Sequence, residues 1–245
     1  MTNPVLVYKG EELARYGFGD PHPFGTDRHD VFHQELESAN LDTGVTYARP
    51  RRANVDELQL FHTPEYIDKV SRVSQEGKGY LDEGDTPALP GIFDAASDVV
   101  GTTLAAIDAI MDGDAKRAFI PIAGLHHAAR DRAAGFCVFN DCGVAAEYLR
   151  EKHGVRRVAY VDIDAHHGDG MFYGFEDDPD LIFADIHEDG RYLYPGTGAS
   201  EETGTGRARG TKLNIPMAPG ADDAQFRVAW RRVEVYLEKA RPEFI

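Results

Sequence analysis

Apolar residues recur along this chain with two different periods, which predict strands and helices in turn. Short apolar runs predict strands at residues 4–8, 118–122, 158–161, 181–186 and 213–215. Helical spacing predicts helices at residues 26–39, 55–73 with a break at Pro64, 92–111, 141–152 and 222–240. Strands that alternate with helices indicate an α/β fold with one parallel sheet flanked by helices. Because the sequence contains no recognisable linker or repeat, we predict a single domain over residues 1–245.

The segment after the third predicted strand is rich in residue types that bind metals. Asp162, Asp164 and His166 share one face of an extended chain, because side chains alternate along a strand, and Asp169 follows shortly after. Ligands and metals of parallel α/β proteins are held at the carboxyl ends of strands. The carboxylate of Asp164 and the imidazole of His166 suit a borderline cation, so we predict that they bind zinc.

A pair of histidines, His126 and His127, follows the second predicted strand in the same way. Adjacent histidines at a bend can face one cleft, one as a general base and the other as its electrostatic partner. Each imidazole needs a carboxylate on its far ring nitrogen to fix its tautomer. Asp162 and Asp169 are the candidates for this role, since Asp164 is assigned to the metal.

Both clusters lie in long motifs that resemble a known family. The segments GLHHAARDRAAGFCVFND and YVDIDAHHGDG are similar to those of the zinc-dependent deacetylases, which include histone deacetylases, acetoin-utilisation proteins and acetylpolyamine amidohydrolases. Further similarity covers almost the whole chain, in DPHPFGTDRHDVF, FHTPEYIDKV, GDTPALPGIFDAA, IHEDGRYLYPGTG and LNIPM. The resemblance implies an arginase–deacetylase fold and the hydrolysis of acetylated lysine or polyamine amines to acetate and a free amine.

The resemblance also implies a role for individual residues. Asp164 and His166 would be zinc ligands, and His126 and His127 the catalytic dyad, supported by Asp162 and Asp169 respectively. Substrate-contacting and channel positions of the family correspond to Asp85 at the rim, Phe136 and Tyr194 as tunnel walls, and Arg28 in an acetate channel. The family also binds K⁺ near Asp162 and Asp164, although Asp185 stands here where a serine is common.

Two functional parts of the family have no counterpart in this sequence. The family supplies a third zinc ligand, an aspartate, after the next strand, and then a tyrosine in a glycine-rich loop. Residues 241–245 resemble the opening of that strand. We therefore expect a C-terminally truncated domain that lacks its last strands, binds zinc poorly and self-associates through an exposed sheet edge.

Composition narrows the expected partners and location. The formal charge of −16 argues against nucleic acid and favours cationic substrates. Two cysteines, no signal peptide and no apolar run of about 20 residues predict a cytoplasmic protein with no membrane partner. A homo-oligomer is possible. Two alternatives to the deacetylase hypothesis stay open: a binuclear manganese ureohydrolase of the arginase type, and a non-catalytic binding remnant of the deacetylase fold.

Overall fold

The computed structural model describes residues 5–245. The chain divides into two compact units, the first ending at Tyr148 and the second spanning Leu149–Ile245. The single-domain organisation suggested by the sequence stays a prediction. In the part of the chain that the structure describes, no helix is both long and apolar enough to cross a membrane.

The first unit is built on a three-stranded parallel sheet. Its central strand β1 (Val5–Tyr8) pairs with β2 (Val45–Ala48) on one side and with β3 (Arg117–Phe119) on the other. The helices of this unit are α1 (Glu11–Ala14), α2 (Arg28–Ser38), α3 (Val55–Leu58), α4 (Pro64–Glu76) and α5 (Ile92–Met111). The helix α6 (Asp141–His153) begins in this unit and ends in the second. A 3₁₀ turn, Asp42–Gly44, precedes β2.

Local sequence explains why the predicted helix at residues 55–73 is divided in two. Asn54 caps α3 in a capping box with Glu57, whose backbone N–H donates to the Asn54 side chain over 2.9 Å. Thr63 then caps α4, and Pro64 occupies the first helical turn, where its missing N–H costs nothing. The chain therefore begins a new helix at Pro64.

The second unit contains another three-stranded parallel sheet, in the order β4 (Val158–Asp162), β5 (Leu181–Glu188) and β6 (Lys212–Met217). The central strand β5 is buried over most of its length, as expected for a parallel strand covered on both faces. This unit also contains α7 (Asp169–Gly174), a 3₁₀ turn (Gly206–Ala208) and α8 (Asp223–Ala240).

The last residues of the chain pair with the outer edge of β4. Phe244 forms a parallel bridge with Val158, and the N–H of Ala159 donates to the Phe244 carbonyl over 2.8 Å. The interpretation of residues 241–245 as the opening of a further strand stays a prediction, which this bridge supports at one residue. As a result, β4 has hydrogen-bonding partners on both sides.

The predicted parallel α/β class is confirmed, with three differences in detail. The described strands pair as two three-stranded sheets, where the sequence predicted one. β3 ends at Phe119, before Pro121, which has no N–H to donate to a ladder. Three short elements were not predicted, namely α1, β2 and α7. Pro4, predicted to begin the first strand, lies outside the described residues.

Candidate active site

The two histidines of the first cluster lie side by side in a buried turn. His126 and His127 are each only 5% exposed, and their ring centroids are 4.1 Å apart. The turn closes where the N–H of His126 donates to the Gly124 carbonyl over 2.9 Å, with Gly124 at a φ of +79° that favours glycine. The structure therefore brings together the pair that the sequence predicted as a dyad.

Asp141, at the start of α6, holds this turn in place. One carboxylate oxygen accepts from the N–H of Leu125 over 2.7 Å. The other accepts from the N–H of Gly124 at 3.2 Å and from the hydroxyl of Thr103 at 2.9 Å. Asp141 is 1% exposed, and the buried N–H of Leu125 depends on it for its hydrogen bond.

Asn140, the neighbour of Asp141, holds the other side of the same turn. Its side-chain amide donates to the carbonyl of Ala128 over 2.9 Å and to that of His126 over 3.4 Å. Sequence reasoning assigned no role to Asn140 or Asp141. Their position in the sequence was a signal for such a role. Both residue types can cap a helix, and they stand at the end of the motif that begins with the histidine pair.

The loop at residues 134–140 is held by side chains from other elements. Tyr66 donates to the carbonyl of Val138 over 2.6 Å, and the N–H of Val138 donates to the Tyr16 hydroxyl over 3.1 Å. The N–H of Asn140 donates to Nε2 of His62 over 2.9 Å. Burial lowers the pKa of His62 to about 4, so this imidazole is neutral and can accept the bond.

Asp85, the predicted rim residue, is exposed in a tight acidic loop. Asp82 organises this loop, because one of its oxygens accepts from the N–H groups of Gly84, Asp85 and Thr86. Partial burial, followed by the interaction with Asp82, raises the pKa of Asp85 to about 6. The pKa of Asp82 falls to about 2, because its hydrogen bonds outweigh the opposing effect of burial.

The predicted zinc ligands lie together just beyond β4 in the second unit. Oδ1 of Asp164 accepts from the N–H of His166 over 2.7 Å and lies 2.9 Å from Nδ1 of its ring. Asp162 fixes the start of this segment: one oxygen accepts from the N–H of Asp164 over 2.9 Å, the other from the Tyr160 hydroxyl over 2.5 Å. The two ligand side chains are 52% and 41% exposed for Asp164 and His166, which leaves them accessible to an ion.

These two side chains have the donor chemistry of a zinc site. A carboxylate oxygen and an imidazole nitrogen that face each other at 2.9 Å suit zinc, but catalytic zinc takes three protein ligands. Among residues 5–245, no group of three or more His, Cys, Asp and Glu side chains is arranged to hold a metal. The residues present thus fit two of the three ligand positions.

Comparison with known proteins identifies the family. The model of the histone deacetylase domain matches residues 22–245. The chain belongs to the histone deacetylase family. It is 40% identical over 238 residues to the acetoin utilization protein AcuC of Bacillus subtilis, covering 94% of this chain and 61% of that protein. It is 33% identical over 252 residues to AcuC of Staphylococcus aureus, covering 100% of this chain and 64% of that protein. The chain thus spans somewhat less than two thirds of the length of these relatives.

Solved structures of histone deacetylase proteins have the same fold. The HDA15 HD domain superimposes with a TM-score of 0.90 at 30% identity, covering 99% of this chain and 71% of that one. An HDAC homolog complexed with SAHA gives a TM-score of 0.85 at 29% identity, covering 99% of this chain and 67% of that one. The match to this family favours the deacetylase hypothesis over the arginase-type alternative.

Next to the candidate ligands, this family member contains a buried pair that the sequence did not reveal. Nδ1 of His187 lies 2.7 Å from Oδ1 of Asp185, and its Nε2 donates to the carbonyl of Gly198 over 2.9 Å. Burial lowers the pKa of His187, but these two acceptors outweigh it and leave the pKa raised. Burial raises that of Asp185 to about 6. The other oxygen of Asp185 accepts from the N–H of Gly168 over 2.8 Å, so both of its oxygens already serve protein donors. The predicted K⁺ site stays a prediction.

Tyr194, Asp169 and Arg28, the remaining predicted site residues, each have their own local surroundings. Tyr194 is 44% exposed, with its ring centroid 6.2 Å from that of His166. Asp169 begins α7, and its N–H donates to the carbonyl of His167 over 2.8 Å. The support of His126 by Asp162 and of His127 by Asp169 stays a prediction. Arg28 is exposed and stacks on Phe24 with its guanidinium 4.4 Å from the ring centroid, a position that adds no support to the predicted channel role.

Proposed function

We propose that this protein, or a longer protein that contains this chain, is a zinc-dependent amidohydrolase that removes acetyl groups from acetylated lysine or polyamine amines. The observation that carries this proposal is the buried His126–His127 pair, with ring centroids 4.1 Å apart, in a chain of the histone deacetylase family. The products are acetate and a free amine.

Asp164 and His166 are the residues of this chain that would hold the zinc ion. When bound, zinc supplies a Lewis acid that polarises the amide carbonyl and lowers the pKa of water from about 15.7 towards 7. Asp164 and His166 are two of the three protein ligands that catalytic zinc takes, and the proposal assigns the third to an aspartate of the longer protein. A K⁺ ion near Asp162 and Asp164 is part of the same proposal.

His126 and His127 move the protons of the reaction in this proposal. One imidazole takes a proton from the attacking water and later returns it to the leaving amine, while the other stabilises the developing charge. Asp162 and Asp169 orient the two rings. The tight packing of the pair by Asp141 and Asn140 supports this role, because a general base has to be fixed in position to act.

The substrate contacts are proposed on the exposed rim and the aromatic walls. Asp85 binds the amide or ammonium group of the substrate, and Phe136 and Tyr194 line the tunnel for its aliphatic stem. Acetate leaves past Arg28. The net charge of −16 attracts cationic substrates such as acetylated lysine segments or polyamines. We place the protein in the cytoplasm, consistent with its low cysteine content.

The proposal is tested with an acetyl-lysine peptide and an acetylpolyamine as substrates. The proteins are the 245-residue chain and a fusion that adds the residues of the Bacillus subtilis relative beyond its match to this chain. Hydrolysis by the fusion that is inhibited by SAHA, lost on chelation and restored by zinc supports the proposal. Two manganese ions per chain with ureohydrolase activity would support the arginase-type alternative. Substrate binding without hydrolysis would support the binding remnant.

A further inference from the structure

Phe136 has a backbone conformation that a bulky side chain seldom adopts. Its φ is +70°, in the left-handed region, and the preceding Gly135 has a φ of +54°. A phenylalanine stays in this region only where surrounding contacts determine its conformation. The contacts that hold Phe136 therefore decide where its ring points.

Both polar backbone groups of Phe136 are bonded to buried hydroxyl groups. Its N–H donates to Oγ1 of Thr86 over 3.1 Å, and its carbonyl accepts from the hydroxyl of Tyr16 over 2.6 Å. Thr86 and Tyr16 are both 0% exposed. Removing either hydroxyl therefore leaves a backbone group of Phe136 without its protein partner.

The hydroxyl of Thr86 also belongs to the acidic loop that contains Asp85. It donates to a carboxylate oxygen of Asp82, the residue whose other oxygen accepts from the N–H groups of the same loop. The hydroxyl thus donates towards the two acidic side chains, with an oxygen of Asp85 also within 3.2 Å, and accepts from Phe136. Thr86 directly links the loop of Asp85 to the backbone of Phe136.

His22 forms a second link between the same two residues. Its Nε2–H donates to the carbonyl of Asp85 over 3.0 Å, while its Nδ1 accepts from the N–H of Phe24 over 3.0 Å. Its ring packs edge-on against the ring of Phe136, with centroids 4.5 Å apart. The side chain of Phe136, like its backbone, is therefore held next to the loop that contains Asp85.

From these contacts we propose that Thr86 is a positioning residue: its hydroxyl fixes Phe136 relative to Asp85, so that the two substrate-contacting groups form one rigid rim. The meaning of this rim for catalysis rests on the proposed function. The linkage itself is a property of the chain and is measurable without substrate.

The test compares Thr86→Val with Thr86→Ser in the 245-residue chain. Valine replaces the hydroxyl with a methyl group of similar size, whereas serine keeps the hydroxyl; Thr86→Ala provides a second variant without it. The measurement is the hydrogen-exchange rate of the Phe136 amide by NMR, with the Leu104 amide of buried helix α5 as reference. We expect exchange at Phe136 to become at least tenfold faster in the valine and alanine variants. It should stay near the wild-type rate in the serine variant, with Leu104 unchanged in all three.

Three results would overturn the inference. They are wild-type exchange at Phe136 in the valine and alanine variants, fast exchange in the serine variant, and an equal acceleration at Leu104, which would mean a general loss of stability. Failure of the proposed function would be seen separately, as absence of hydrolysis by the fusion. That outcome would leave the linkage between Thr86 and Phe136 intact.

Discussion

Asp82 and Asp85 both accept from the single hydroxyl of Thr86, at 3.2 Å in the case of Asp85, yet their pKa values move in opposite directions. Three loop N–H groups stabilise the charge of Asp82, whereas Asp85 lies partly buried beside that charge. The rim of the proposed tunnel therefore contains one carboxylate that stays ionised and one that is protonated under mildly acidic conditions.

We predict that Asp85 titrates near pH 6 and that its charge is lost below that value. Binding of a cationic substrate should weaken as the pH falls through 6, and Asp85→Asn should show the weaker affinity throughout with no titration. Carboxyl ¹³C shifts would measure the pKa directly. Asp82→Asn should move it towards the ordinary value of 3.8, and an Asp85 pKa near 4 in the wild type would contradict the assignment.

The same two carboxyls should affect stability over different pH ranges. The pKa of Asp85 is raised in the folded chain, so its contribution to the free energy of unfolding decreases as the pH rises from about 4 to about 6. The pKa of Asp82 is lowered, so its contribution is present above about 4 and is lost as the pH falls towards 2. Urea denaturation of Asp85→Asn at pH 4 and pH 7 should show the variant gaining stability relative to the wild type at the higher pH.

Replacing Asp141 with Ala should destabilise the His126–His127 turn. The change leaves the buried N–H of Leu125 without its acceptor, at a cost of about 1–3 kcal/mol. It also removes the hydrogen bonds that Asp141 accepts from Gly124 and Thr103. Chemical denaturation measures the loss, and Asp131→Ala is the matched control, since the side chain of Asp131 is 63% exposed. Equal effects of the two substitutions would show that Asp141 does not hold the turn.

Gly198 should tolerate a methyl group far less well than Gly210. The two glycines have φ values of +87° and +88°, so alanine meets the same backbone strain of about 1 kcal/mol at both sites. At Gly198, however, a Cβ would lie 2.5 Å from Nε2 of His187, whereas Gly210 has open space. Gly198→Ala should therefore cost about 1–3 kcal/mol more than Gly210→Ala in thermal or urea unfolding. Equal losses would mean that the loop moves away freely.

The metal and the dyad give separable predictions. In the active fusion, His127→Ala should lower turnover by about 10²–10⁴ without loss of zinc, and His153→Ala, on the helix α6, serves as a control for histidine loss.

The 245-residue chain alone should contain well under one zinc ion by elemental analysis, because Asp164 and His166 supply two ligands of three. Stoichiometric zinc in the chain alone would show that a third ligand is present. Full turnover in the His127→Ala variant would show that His127 is not part of the dyad.

The sequence predicts the longer helices and strands better than it predicts the contacts around the candidate site residues. The helix at residues 92–111 agrees with α5 at both ends, because its apolar spacing and flanking glycines act locally. In contrast, the four-residue strand β2 has too little apolar pattern to detect, since it is an edge strand with no fully buried residue. The sequence also predicts no structural role for Asp141 and Thr86, because their hydrogen-bond partners lie 16 to 50 positions away in the chain.

The conformation of the loop at residues 134–140 depends on side chains that lie outside its own sequence motif. Its backbone is bonded by Tyr16, Tyr66, His62 and Thr86, which lie 50 or more positions earlier in the chain. A transplant of GFCVFND into another scaffold would carry Phe136 but none of the hydroxyl and imidazole groups that hold the loop. Any engineered version of this loop has to include the four supporting side chains together with the motif.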